Sequence, residues 1–260
     1  MGRRQRMRLA AMIAGTLAAA PWIEAAAQGY LRLGVDAALE SDSVFTDADC
    51  ASVTPAALYG CGQGPDGAPY RSTGKFSSAA GIEVGAGYAV SPAVRVELRL
   101  GYRPSVRFEG LANFLAPGRE QSVLMERSAH SAAVALELDL TSLGVPSLGA
   151  FRPFAGAGIG RVRHRVEETR MRFPRTETIV PGATVTEWAW AVTAGFSRRM
   201  TERMVLDLAW RYADEGDIQT GAGTGHVRWR DGSRTVALDL APTLAETRYH
   251  QFGVTLRYAW

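Results

Sequence analysis

Beyond residue 30 the chain is built from blocks in which apolar and polar residues alternate strictly. Leu31, Leu33, Val35, Ala37 and Leu39 are apolar, and Arg32, Gly34 and Asp36 stand between them. Side chains on a strand point alternately to its two faces, so such a block is an extended strand with one oily and one polar face. The pattern recurs from Phe76, where Ile82, Val84, Ala86, Tyr88 and Val90 oppose Gly81, Glu83, Gly85 and Gly87. It recurs again over Val94, Val96, Leu98, Leu100 and Tyr102 against Arg95, Glu97, Arg99, Gly101 and Arg103. A fourth strand is predicted from Ser122 to Leu140, with Val134, Leu136 and Leu138 against Ala133, Ala135, Glu137 and Asp139. A sixth carries Trp188, Trp190, Val192, Ala194 and Phe196 on one face, and a seventh carries Met204, Leu206, Leu208, Trp210 and Tyr212 against Asp207, Ala209 and Arg211. The last block places Phe252, Val254, Leu256, Tyr258 and Trp260 opposite Gly253, Thr255, Arg257 and Ala259, and runs to the final residue. Between the fourth and sixth blocks lies a glycine-rich strand over 151–166 whose register the pattern does not fix. No βαβ unit follows its glycines, so they read as the inner wall of a small barrel rather than a nucleotide loop.

Eight strands result, joined by connectors that alternate long and short: 40–75, Ser91–Ala93, 104–121, 141–150, 167–185, 198–203 and 214–246. Within the last, Arg230-Asp231-Gly232-Ser233 reads as a hairpin turn between short polar strands. Were those flanks to span a membrane the count would be ten, but Val227-Arg228-Trp229-Arg230 has no apolar band to meet lipid. The prediction is an all-β, eight-stranded antiparallel up-and-down transmembrane barrel with long extracellular loops. Its polar faces gather Arg32, Asp36, Glu83, Arg95, Glu97, Arg99, Arg103, Glu137, Asp139, Asp207, Arg211 and Arg257 in a lumen only wide enough for side chains to fill. Opposite charges there should pair across strands as a plug; a narrow gated conduit is the other reading. The outward aromatics, among them Tyr88, Tyr102, Trp188, Trp190, Trp210, Tyr212, Tyr258 and Trp260, fit interfacial girdles.

The N-terminus changes the charge picture. Arg3, Arg4, Arg6 and Arg8 precede an apolar run from Leu9 to Ala20 and a small-residue site at Ala25-Ala26-Ala27, so residues 1–27 read as a cleaved secretory signal and 28–260 as the barrel. Of 29 basic and 26 acidic residues, those four arginines and Glu24 leave with the signal, and the remainder is electrically balanced. The basic pI is therefore no argument for nucleic-acid binding. Cys50 and Cys61, close together in a Gly/Pro/Asp-rich stretch of an exported chain, predict a loop-closing disulfide; zinc is a poor alternative there, and no cofactor is expected. Arg119, Arg127, Arg163, Arg165, Arg170, Arg172, Arg175, Arg228 and Arg230 crowd the predicted loops. Guanidinium groups bind phosphates bidentately, which suggests contact with lipopolysaccharide; an arginine-rich codon bias explains the same count.

The terminal strand from Phe252 to Trp260 resembles the assembly signal of Gram-negative outer-membrane barrels. Gly87–Leu98, Met204–Tyr212 and Pro153–Gly160 resemble strands of small outer-membrane barrels of the OmpA-barrel and opacity-protein superfamily. The resemblance implies a protein of the Gram-negative outer membrane, inserted by the barrel-assembly machinery, with a structural, adhesin-like or antigenic role and an extracellular partner not identified. A narrow porin-like channel is the alternative. Glu126, Ser128 and His130 share one strand face and raise a remote third reading, lipid A deacylation, which uses a Ser/His/Glu set on such barrels. Here His follows Ser, the reverse of that motif, and same-face neighbours lie roughly 7 Å apart, too far for direct hydrogen bonds.

Overall fold

The computed structural model describes residues 29–39 and 41–260, so the proposed signal peptide lies outside the described residues. Among the described residues fourteen strands form one antiparallel sheet, and eight of them close a ring. In order round the ring these are β1 (Gly29–Ala38), β4 (Ala79–Ala89), β5 (Val94–Ala112), β6 (Ser122–Asp139), β7 (Phe151–Val166), β10 (Ala183–Arg199), β11 (Met204–Gln219) and β14 (Thr243–Ala259). The pairing of Tyr30 with Ala259 through Ala38 with Gln251 shuts it. Closure leaves no open edge, which is what a lipid-embedded sheet requires. In β7 the even positions point inward, from Phe154 to Val166.

The remaining strands correct the expected loops. Residues 40–75 contain β2 (Ser41–Asp47) and β3 (Ser72–Phe76), 167–185 contains β8 (Thr169–Arg172) and β9 (Thr176–Val180), and 214–246 contains β12 (Gly223–Trp229) and β13 (Thr235–Leu240). The turn at Arg230–Ser233 does join β12 to β13, yet this hairpin pairs with β9 and stays outside the ring. The strand expected from Phe76 is broken at Ser77 and Ser78, and the terminal strand begins at Thr243, inside the connector expected to run to 246. β5 and β11 run on past Arg103 and Ala213, to Ala112 and Gln219. At about 3.3 Å per residue the longest strands approach 60 Å, far beyond the roughly 9–11 residues that cross a bilayer.

Two bulges explain why alternation counting stopped short. In β5 the register shifts between Arg103 and Val106, where Pro104 can give no N–H to the ladder. In β11 it shifts between Asp214 and Asp217, around Gly216 at φ +74°, a left-handed turn that favours glycine. Each bulge flips parity, so Val106, Phe108 and Ile218 point inward although even positions below them face lipid.

The ring thus has two tiers. In the lower, Leu31, Leu33, Val35, Val134 and Ile159 are half or more exposed on the outside while arginines and glutamates are buried inside. In the upper, β2, β3, β5, β6, β8, β9, β12 and β13 pair in succession. Ala56, bridged to Leu240, returns the series towards β2. This tier is filled by Phe45, Phe76, Phe108, Val123, Met125, Met171, Val180 and Ile218, with Phe108 fully excluded from solvent.

Candidate functional site: the lumen and its extracellular cap

Beginning at the short-turn end, the first lumen layer is Arg257 on Asp207, at 2.6 and 2.9 Å, with the Ser197 hydroxyl donating to the same carboxylate at 2.6 Å. Above it Glu97 accepts from Arg32 at 2.8 Å, from Arg99 at 2.6 and 2.8 Å and from the Tyr30 hydroxyl at 2.6 Å. Glu137 takes Arg95 and Arg99 in close contact. Glu83 then stands between Arg32 and Arg211, 2.9 Å from each. Glycines make this crowding possible: a Cβ at Gly87 would lie 2.2 Å from the Tyr30 ring, and one at Gly156 would lie 2.7 Å from Glu137 Cγ.

A cavity of about 90 Å³ follows, lined by Arg99, Arg103, Arg211 and Glu83 and by small residues that include Gly101, Ala133, Gly158 and Ala191. Its roof is a second network. Arg103 donates to Asp36 at 2.8 Å, Tyr249 at 2.9 Å and Gln251 at 3.2 Å. Arg127 lies 3.6 Å from Glu215, which also receives the Tyr249 hydroxyl. His164 accepts from Arg127 at Nδ1 and sits with Nε2 3.1 Å from the Glu215 carbonyl. Arg127 then lies 5.0 Å above the Phe76 ring, where charge gives way to the apolar upper core.

Of the ionic residues proposed from sequence, eleven lie in this stack, and Asp139 lies at the rim, capping the turn at Thr141 and pairing with Arg152 at 3.1 Å. Arg127 requires a correction: grouped with the loop arginines, it is 3% exposed and faces the lumen. His164, Glu215 and Tyr249 escape sequence reading: the first sits on the strand of unfixed register, the second in the connector read as 214–246, and the third between that connector and the alternating block from Phe252. Glu126, Ser128 and His130 do share an outward face, but Glu126 pairs with Arg107 at 3.1 Å and His130 packs on Tyr102 at 4.6 Å between ring centres. The geometry does not assemble them.

Cys50 and Cys61 are bonded. Their loop is a lid rather than a free tether. The Asp47 carboxylate accepts from the backbone of Leu58, Tyr59 and Gly60, at 2.7 to 3.2 Å, and Tyr59 inserts into the upper core with its hydroxyl on Ser72 at 2.7 Å. Burial pushes the Tyr59 hydroxyl well above the usual tyrosine range, so it stays a neutral donor.

A closed ring with a lipid-facing exterior and an ionic interior has its counterpart among known families. The family model for the outer membrane protein beta-barrel domain matches residues 8–259. The chain belongs to this family. In such barrels short turns face the periplasm and long connectors face outward, so the upper tier is extracellular. No curated protein matches the barrel's sequence. Among solved structures it is similar to Neisserial surface protein A (13% identity, 88% of this chain and 96% of that one, TM-score 0.39). It is also similar to the outer membrane protein OprG from Pseudomonas aeruginosa (14%, 90% and 95%, 0.46) and to the outer membrane protease OmpT from Escherichia coli (9%, 89% and 97%, 0.47). The fold rests on the family model and the ring itself.

Proposed function

We propose that this barrel is a closed outer-membrane scaffold whose rigid extracellular tier presents a surface for interaction, and not a conduit or an enzyme. The observation carrying this reading is the double stopper. Voids along the axis are small, about 220 Å³ at the periplasmic mouth and 20 Å³ and 90 Å³ further in, and the Glu97 cluster, tied to Arg32, Arg95 and Arg99, stands between the mouth and the inner pair. Above, the apolar core fills the upper tier. A hydrated ion would have to break paired charges and then cross hydrocarbon-like packing. A surface-presenting role needs order more than mobility, and the paired strands, the disulfide and the seated Tyr59 supply it. In this reading residues 1–27 direct export and are removed. Phe252, Val254, Leu256, Tyr258 and Trp260 are the signal read by the assembly machinery, and no cofactor takes part. The enzyme reading loses support because Glu126 and His130 are engaged elsewhere.

Planar-bilayer recording of the refolded protein tests it. The expected record is silent, without stepwise currents, at moderate voltage. Steady unitary steps would overturn the closed-scaffold reading in favour of a channel.

A further inference from the structure

The exterior of β7 changes character at the membrane boundary. Its outward positions run Ala157, Ile159, Arg161, Arg163, Arg165: two exposed lipid-facing residues, then three arginines in a ladder with steps of roughly 7 Å. The flanking strands place Ala132, His130 and Ser128 on one side and Trp188, Thr186 and Thr184 on the other. None of these neighbours is acidic. Arg161 is already oriented, its guanidinium 4.9 Å from the Trp188 ring centre and donating to the Thr186 carbonyl at 3.3 Å. Arg163 has no carboxylate at ion-pair distance among the described residues, whereas Arg165 pairs with Glu167 at 3.0 Å in an exposed, weak bridge. The β11–β14 side differs, since Arg248 there is held by Asp214 and Glu246 at 2.9 Å each. The barrel therefore has a basic sector with hydroxyl neighbours, level with the outer girdle formed by Trp188 and Tyr102.

Groups at that level of an outer membrane's outer leaflet are lipid headgroups, and the anion that suits paired guanidinium groups is a phosphate. We propose that Arg161 and Arg163, with Thr184, Thr186 and Ser128 beside them, bind a glucosamine phosphate of lipid A. Arg161, pinned over Trp188, gives up little conformational freedom on binding, and Arg163 supplies the uncommitted charge. This deepens the surface-interaction reading by naming one lipid partner. It does not depend on whether the lumen conducts.

Native mass spectrometry of the refolded full barrel with bisphosphorylated lipid A, dephosphorylated lipid A, and bisphosphorylated lipid A plus inorganic phosphate tests the site. The wild type should retain the bisphosphorylated lipid preferentially. The Arg161→Gln/Arg163→Gln protein should lose about tenfold in retention, as expected for removal of charge-assisted phosphate contacts. The charge-matched Arg119→Gln/Arg228→Gln protein, altered at the extracellular tip, should not. Arg163→Gln alone, which removes no contact of the fold, should give an intermediate loss and guards against misfolding of the double variant. Equal retention by both doubles, indifference of the wild type to lipid phosphorylation, or displacement by millimolar inorganic phosphate would each overturn the proposal. A conducting barrel that still passes this test would sink only the closed-scaffold reading.

Discussion

The two tiers of this barrel solve the same closure problem with opposite chemistry. In the membrane tier the outside is oily and the inside ionic: along β6, Val134 and Leu136 face lipid while Glu137 is 3% exposed. Further along that strand, without any change of parity, Met125 and Val123 are 2% exposed inside and Glu126 lies outside. The difference follows from the solvent. Facing lipid, apolar side chains are needed outside, and a narrow lumen can then hold polar residues only if they satisfy one another. Facing water, the wall reverts to the ordinary rule and buries its apolar residues inside. The lower tier thus gains a defined interior from ion pairing, whereas the upper tier gains stability from burial.

The comparison is broken most forcefully by emptying each core. Glu97→Ala would leave Arg32 and Arg99 without their shared carboxylate, and removing one partner of a buried pair costs on the order of 3–5 kcal/mol. Phe108→Ala, in the upper core, should cost a similar ~3–5 kcal/mol through lost burial and cavity formation. The two should differ in where the loss appears. Equilibrium denaturation in detergent should show the Glu97 variant lowering the midpoint for the whole barrel. Limited proteolysis should show the Phe108 variant opening residues 113–121 and the β12–β13 hairpin while the heat-resistant gel mobility of the membrane tier persists. Identical whole-barrel losses would mean that the tiers are one cooperative unit.

A sharper version uses one substitution on the two exteriors. Leu33 and Leu111 are 61% and 60% exposed on outward faces, the first in the lower tier and the second in the upper. Arginine at Leu33 should cost about 2–4 kcal/mol if that position lies near the bilayer midplane, less towards an interface. Arginine at Leu111, surrounded by water, should change stability by less than about 0.5 kcal/mol. Folding measured in lipid vesicles reads both. A comparable penalty at Leu111 would place the membrane higher than Trp188 and Tyr102 mark it.

This contrast also explains how much could be read from the chain. The lower tier was legible because its alternation is uninterrupted: the oily faces from Leu31 to Leu39, Val94 to Tyr102 and Phe252 to Trp260 give strands, faces and the ring of eight. The ionic residues on the opposite faces follow from the same parity. The upper tier was not legible by that rule. At Pro104 and Gly216 the parity flips, so Phe108 and Ile218 cease to look like lumen residues. On β6 the inward residues turn apolar without a flip, and a mixed strand of that sort reads as solvated. Short strands such as Thr169–Arg172 carry too few residues for a period to emerge. Arg127 is missed for a related reason, since a charged residue beyond the membrane band is ordinarily assigned to solvent, and His164 is missed because the glycines of its strand leave the register open.

The disulfide gives the smallest expected effect, and its size follows from what else holds the lid. Closing a short loop restricts the unfolded chain by up to about 3 kcal/mol when the loop's freedom is otherwise complete. Here the Asp47 carboxylate already binds three consecutive backbone N–H groups, and Tyr59 is 6% exposed in the upper core. Much of the same constraint is therefore present without the Cys50–Cys61 bond. Cys50→Ser/Cys61→Ser should leave the global midpoint within about 0.5 kcal/mol while raising local opening of residues 48–71, because local units open independently of the whole. Hydrogen exchange of the Tyr59 and Gly60 amides measures that opening directly. Adding Asp47→Ala to the cysteine-free protein should release those amides much further than either change alone. If the cysteine-free protein already exchanges them freely, the bond rather than the carboxylate holds the lid.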